Sequence, residues 1–327
     1  MAERRIVYPD AEAAVLPLLD GARRRRLERL GRLEVHTGFP DSSEVFAERL
    51  AGADAVFLGG TVAMADAALD AAPDLEVISV CGVGAGSFVD LPGAARRGVT
   101  VCNSPDATVN TVAEYTLALL FAAARHLAAL DRDLRQGLWT QSRIGFELKG
   151  KTLGLIGLGP IGARFAELAG ALGMEVIAWT RRPDPARAAR LGIRFAALDD
   201  LLAESDVLSL HLALTPETQG LLGGAELARA KPGVVLVNTA RGGLVDERAL
   251  IEALRAGRIA AAGLDVFAEE PLPAGHPLLA LDNVVLSPHV AWNTPEATAL
   301  LLDTAIGNLE RFYAGDPINV VAGPGVG

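Results

Sequence analysis

The chain has 327 residues, half of them hydrophobic but only 5% aromatic, and a formal net charge of −10. That length suits two domains better than one core, and so apolar a composition excludes a mostly disordered protein. The acidic balance speaks against nucleic acid as a main partner, because phosphate binding asks for a basic face.

From Met1 the sequence passes straight into an apolar run with no hydrophobic signal region, so a cytoplasmic protein is expected. Short apolar runs predict strands at residues 6–8, 33–36, 55–58, 75–80 and 99–102. Helices are predicted among them at 23–30, 43–50, 64–71 and 92–97. Such alternation indicates parallel βαβ units. The run Arg23-Arg24-Arg25-Arg26 reads as a solvated helix face. Cys81 and Cys102 make neither a disulfide framework nor a zinc spacing, and no metal site is expected; Cys81 reads as a small buried residue. Residues 109–130 read as one long helix. Glu114, Arg125 and His126 within it point to a buried helix and not a membrane span, so no membrane partner is expected.

A second series begins after Gly150. Strands are predicted at 153–156, 174–179, 206–212, 234–238, 261–266 and 284–286, with helices at 161–172, 198–204, 224–229 and 247–256. This is the pattern of a doubly wound sheet. A closing helix is predicted at 295–313. The fold class is therefore α/β, with two doubly wound parallel-sheet domains.

Gly157-Leu158-Gly159-Pro160-Ile161-Gly162 matches G-x-G-x-x-G in the context that gives it meaning, after a strand and opening a helix. Gly157 permits the tight turn, Gly159 lets backbone approach a pyrophosphate, and Gly162 lets helix and strand pack closely. The end of the second strand reads Trp179-Thr180-Arg181-Arg182-Pro183. An acidic residue there would hold ribose hydroxyls, whereas a hydroxyl and two guanidinium groups suit a 2′-phosphate. NADP(H) is therefore favoured over NAD(H), with Thr180, Arg181 and Arg182 as its contacts.

Three later segments fall at predicted strand ends: Asn238-Thr239-Ala240-Arg241-Gly242-Gly243, Asp265-Val266-Phe267-Ala268-Glu269-Glu270-Pro271 and Ser287-Pro288-His289. Together they offer an arginine, a carboxylate and a histidine. Reducing a 2-keto acid needs a hydride at C2 and a proton at the carbonyl oxygen. Histidine can give that proton near neutral pH, a neighbouring carboxylate orients the ring, and arginine can fork onto the substrate carboxylate.

These motifs together resemble the D-isomer-specific 2-hydroxyacid dehydrogenases, and the resemblance runs from about residue 77 to the closing helix. It implies that Arg241, Glu270 and His289 are catalytic, and that Val83, Gly84, Arg241 and Trp292 meet the substrate. The cofactor would lie on Gly157, Gly159, Pro160, Ile161, Gly162, His211, Thr239, Ala240 and Asp265, with Asp265 on the nicotinamide side. Val112-Ala113-Glu114 matches a family helix start. The loop Gly82-Val83-Gly84-Ala85-Gly86-Ser87-Phe88-Val89-Asp90 is longer before its acid than the family pattern.

The resemblance further implies a Rossmann cofactor domain, residues 103–298, inserted into a flavodoxin-like substrate domain made of 1–102 and 299–327. Hinges would lie near 102–104 and 294–299, with closure carrying Val83 and Gly84 towards Arg241. It implies a homodimer with residues 127–146 as an arm, and no C-terminal regulatory domain. The expected reaction is reduction of a small 2-keto acid such as glyoxylate or hydroxypyruvate to the D-2-hydroxy acid, and its reverse. A formate- or phosphite-type dehydrogenase and a non-catalytic, nucleotide-sensing corepressor stay open as alternatives. His36, His126 and His276 lack companions in the sequence and read as structural or solvated.

Overall fold

Short runs of valine, isoleucine, leucine and alanine, buried on both faces, form the central strands, as parallel sheets covered by helices require. The computed structural model describes residues 3–59, 64 and 66–324. The chain forms two compact units, Met1–Thr108 with Asn293–Gly327, and Val109–Trp292.

The first unit opens with β1 (Arg5–Ala11), α1 (Gly21–Glu28), β2 (Arg32–Thr37), α2 (Ser43–Leu50), β3 (Ala55–Leu58), α3 (Asp66–Asp70), β4 (Val77–Val80), α4 (Leu91–Arg96) and β5 (Thr100–Cys102). The second contains α5 (Val109–Ala124), α6 (Leu127–Arg135), β6 (Thr152–Ile156), α7 (Pro160–Ala171), β7 (Glu175–Trp179), α8 (Pro185–Leu191), β8 (Arg194–Phe195) and α9 (Leu198–Glu204). It continues through β9 (Val207–Leu210), α10 (Gly224–Arg229), β10 (Val234–Asn238), α11 (Glu247–Arg255), β11 (Ile259–Leu264) and β12 (Val284–Leu286). The chain then returns to the first unit with α12 (Pro295–Tyr313) and β13 (Val320–Ala322).

The first sheet runs β13-β5-β4-β3-β1-β2, the flavodoxin-like order with one added strand, and β13 pairs antiparallel to β5. The second runs β12-β11-β10-β9-β6-β7-β8 and is parallel throughout, the Rossmann order with an added strand. Its order reverses between β6 and β9, so the C-terminal ends of those strands flank the crevice where such sheets take ligands.

Three expectations are corrected. Residues 109–130 are not one helix: α5 stops at Ala124, His126 takes a left-handed φ of 53°, and α6 leaves at 61°. The cause is tertiary. The returning segment at Gly145 and Phe146 lies against the end of α5, and the Phe146 amide donates to the Ala124 carbonyl at 3.3 Å. Among the described residues no single helix is long and apolar enough to cross a membrane. The arginine run is not simply solvated, since Arg23 pairs with Asp303 and Arg26 with Glu310, both at 2.7 Å, tying α1 to α12. The helix expected from residue 64 begins at Asp66, while Met64 forms an isolated bridge to Val89; residue 65 lies outside the described residues.

Candidate active site

The glycine-rich turn joins β6 to α7. Gly157 has a φ of +103°, a conformation that glycine adopts without a steric penalty. A Cβ there would strike the His211 carbonyl, and one on Gly162 would lie 2.6 Å from the Gly157 oxygen. Gly159 is different: nothing lies within 4 Å of where its Cβ would stand. That open side adjoins the first turn of α7, where free amides and the positive end of the helix dipole gather. The cradle fits the diphosphate of a dinucleotide. Ile161 supplies an amide to it, and Pro160, as the first residue of α7, does not.

At the end of β7, Thr180 is half-buried and Arg181 and Arg182 are exposed. The first carboxylate beyond the strand, Asp184, instead caps α8 by accepting from the Ala186 amide at 3.0 Å. His211, expected against the cofactor, underlies the turn. Its ring lies 5.5 Å from that of Phe165 and its Nε2 is 2.9 Å from Ser209 Oγ. Burial pushes its pKa down to about 4, so the ring is neutral at pH 7.

The catalytic loops begin where β10 ends. Asn238 accepts from the Ala240 amide at 3.0 Å and donates to the Arg241 carbonyl at 2.9 Å, which fixes the loop between them. The Thr239 hydroxyl, expected near the nicotinamide ribose, is engaged with Thr116 of α5 at 2.8 Å. Arg241 is half-buried and its Nη1 donates to the Ala240 carbonyl at 2.6 Å. Burial lowers its pKa and the Glu270 charge opposes that; a guanidinium remains a cation regardless. A Cβ on Gly242 would overlap the Phe267 backbone, so only glycine lets the arginine loop lie this close to the segment carrying Glu270.

Glu270 accepts from the Phe267 amide at 2.9 Å through Oε1 and meets His289 Nδ1 at 2.7 Å through Oε2. Burial of the carboxylate raises its pKa. The bonds from His289 and Phe267, with the charges of His289 and Arg241, outweigh this and hold it below the usual carboxylate range. Arginine, glutamate and histidine are thus brought together.

Asp265, expected on the nicotinamide side, serves the histidine turn. It is fully buried and accepts from Ser287 Oγ at 2.6 Å and from the Val290 and Ala291 amides at 3.0 and 2.9 Å. Its carbonyl also accepts from the His289 amide at 2.8 Å. This over-determined turn holds His289 at a φ of 53°, uncommon outside glycine. Trp292 Nε1 donates to the His289 carbonyl at 3.1 Å, so the indole closes the same turn.

Within the first unit, Asn103 donates to the Val83 carbonyl at 2.7 Å and the Ser87 amide to the Gly84 carbonyl at 3.0 Å. Among the described residues the Val83 and Gly84 amides have no acceptor in the chain.

Sequence reading missed several participants. His276 does have a companion: its Nε2 stands 3.1 Å from Glu247 Oε1, while Glu247 Oε2 accepts from the Ala268 amide at 3.3 Å. This second histidine–glutamate pair braces the loop that carries Glu270. Arg187 of α8 donates to the Gly159 carbonyl at 3.2 Å. The Asp184-Pro185 pair, an N-cap followed by proline at the first helical position, is the signal that could have revealed α8.

A family model described as "D-isomer specific 2-hydroxyacid dehydrogenase, NAD binding domain" matches residues 117–291. The chain belongs to the D-isomer-specific 2-hydroxyacid dehydrogenase family. It is 46% identical over 259 residues to D-3-phosphoglycerate dehydrogenase of Mycobacterium leprae, covering 79% of this chain and 48% of that protein. The chain thus spans about half the length of such relatives. Glyoxylate reductase of Aeropyrum pernix is 42% identical over 291 residues, 86% of this chain and 87% of that one. Among solved structures, an acyclic imino acid reductase in complex with NADPH and D-Arg superposes with a TM-score of 0.85 at 31% identity, over 97% of this chain and 99% of that one.

Proposed function

We propose that this dehydrogenase-family chain reduces a small 2-keto acid of the glyoxylate or hydroxypyruvate type to the D-2-hydroxy acid, and runs the reverse, with NADP(H) preferred over NAD(H). The observation that carries this reading is the 2.7 Å bond between His289 Nδ1 and Glu270, set beside the half-buried cation of Arg241.

A bound reduced nicotinamide would supply the hydride to C2. Arg241 forks onto the substrate carboxylate and draws electron density towards the carbonyl oxygen. His289, with Nδ1 committed to Glu270, delivers its proton from Nε2 to that oxygen as the carbonyl π bond opens. Glu270 stays ionised and keeps the ring in the orientation that aims Nε2. Glyoxylate reductase of Aeropyrum pernix, similar over most of both chains, supports a small substrate.

Glyoxylate, hydroxypyruvate and larger 2-keto acids, each with NADPH and with NADH, form the decisive panel. Oxidation of the reduced cofactor by the small acids is expected. No turnover across the panel, or turnover only of formate or phosphite with oxidised cofactor, would overturn the reading.

The cofactor preference rests on a strand end that offers Thr180, Arg181 and Arg182 and whose nearest following carboxylate is occupied as a helix cap. Replacing Arg181 and Arg182 together by Ala is expected to weaken NADPH by about tenfold or more while leaving NADH nearly unchanged, from the loss of charge-assisted bonds to phosphate. Equal effects on both cofactors in a binding titration would remove the 2′-phosphate argument.

A further inference from the structure

Other arginines that tie the fold together each engage several acceptors or a carboxylate. Arg258 reaches the Leu227, Ala228 and Ala230 carbonyls, and Arg23 and Arg26 pair with carboxylates. Arg187 does not follow that pattern. Its Nη2 donates to the Gly159 carbonyl at 3.2 Å, an acceptor already used by the Ala163 amide at 2.9 Å. Its Nε is shut away from solvent with no acceptor among the described residues. No carboxylate there lies within ion-pair distance of it. An always-charged group with a buried, unsatisfied donor is costly, and an anion held close to the guanidinium offsets that cost by its charge.

The position says which anion. Gly159 is the residue just before α7, on the open side of the turn, where a diphosphate would lie. The turn is also short of a donor, because Pro160 brings no N–H to the first position of α7. We propose that Arg187 is a ligand of the cofactor's diphosphate, supplying from α8 the charge and donor that Pro160 withholds from the turn. This deepens the dinucleotide reading and rests on it. It also divides the labour among three arginines: Arg181 and Arg182 at the strand end address the 2′-phosphate, and Arg187 at the turn addresses the phosphates common to both cofactors.

The test is calorimetric titration of wild type, R187A and R187K with ADP, NADH, NADPH and adenosine. R187A is expected to weaken ADP, NADH and NADPH alike, by about tenfold to a hundredfold, the range for a hydrogen bond to a charged group. Adenosine, which has no phosphate, should bind as before. R187K, which keeps the charge and is the gentler change for folding, should recover part of the loss. Unchanged ADP and NADH affinity would mean that Arg187 only anchors the loop. A loss confined to NADPH would reassign it to the 2′-phosphate. Equal weakening of adenosine and ADP would mean a deformed turn. Each of these overturns the proposal, whereas wild-type protein that binds none of the nucleotides would overturn the dinucleotide reading beneath it.

Discussion

Nδ1 of His289 is bonded to Glu270, so Nε2 is the nitrogen left to exchange a proton with a substrate oxygen. If that exchange accompanies hydride transfer, H289A should lose on the order of 10²–10⁴ in turnover while nucleotide affinity stays close to wild type. A near-normal rate would refute the role. His211 gives a different prediction from the same side chain. Its folded pKa of about 4 lies below the unfolded value of about 6.5. Between those values the unfolded chain binds the extra proton, so stability falls as pH falls from about 6.5 towards 4. One proton accounts for at most about 1.4 kcal/mol per pH unit. Denaturant unfolding at pH 7 and pH 5 should show a smaller pH effect in H211N than in wild type, even though the variant also loses packing against Phe165. An identical pH effect in both would mean that His211 is not held neutral by the fold.

At the scale of elements, the loop carrying Glu270 is restrained from two sides. Gly242 lets the arginine loop press against Phe267, and Glu247, at the start of α11, accepts from Ala268 while paired to His276. Glu247 touches none of the proposed reacting groups, so it is a positioning residue. E247A should lower kcat by roughly tenfold with a smaller change in KM, the pattern of an interaction that matters more in the transition state than in binding. E247Q, whose amide oxygen can still accept from Ala268, should restore most of the rate. A variant with only a lower melting temperature and unchanged kcat would make the pair structural.

This loop also marks how far the sequence was legible. Asn238, Arg241, Glu270 and His289 stand at strand ends that hydrophobic runs locate well, and β3, β10 and β12 fall at the residues expected. The break at His126 was not legible, because its cause, the segment at Gly145 and Phe146, lies about twenty residues further on and carries no local glycine or proline signal at the break itself. The role of Asp265 was hidden for a related reason. Only the folded turn reveals that its oxygens are filled by Ser287, Val290 and Ala291. Arg187 was missed because it sits on a seven-residue helix with little apolar periodicity.

For the molecule as a whole, the segment after α5 presents apolar side chains that the chain itself does not cover. Leu127, Leu134, Leu138, Trp139 and Ile144 are between 53% and 87% exposed. The segment is nevertheless pinned: Arg143 pairs with the buried Asp133 at 3.0 Å, and Arg132 reaches Asp282 at 2.8 Å. An anchored arm with its apolar residues turned outward is better explained by a partner surface than by a loose loop. Were two copies to pair about a twofold axis through this patch, the five exposed residues would become ten at their contact. Each isoleucine or leucine that is fully buried contributes roughly 1.5–3 kcal/mol, enough in combination to hold a dimer at micromolar concentration. Analytical ultracentrifugation of the wild type should therefore give twice the mass of one chain, and the double variant W139E/I144E should give a folded species of half that mass. Because these side chains are exposed within the chain, the substitutions leave its cores untouched, and circular dichroism should be unchanged. A wild-type mass of one chain at micromolar concentration would overturn the dimer, and a dimer that survives both charges would move the interface away from this arm.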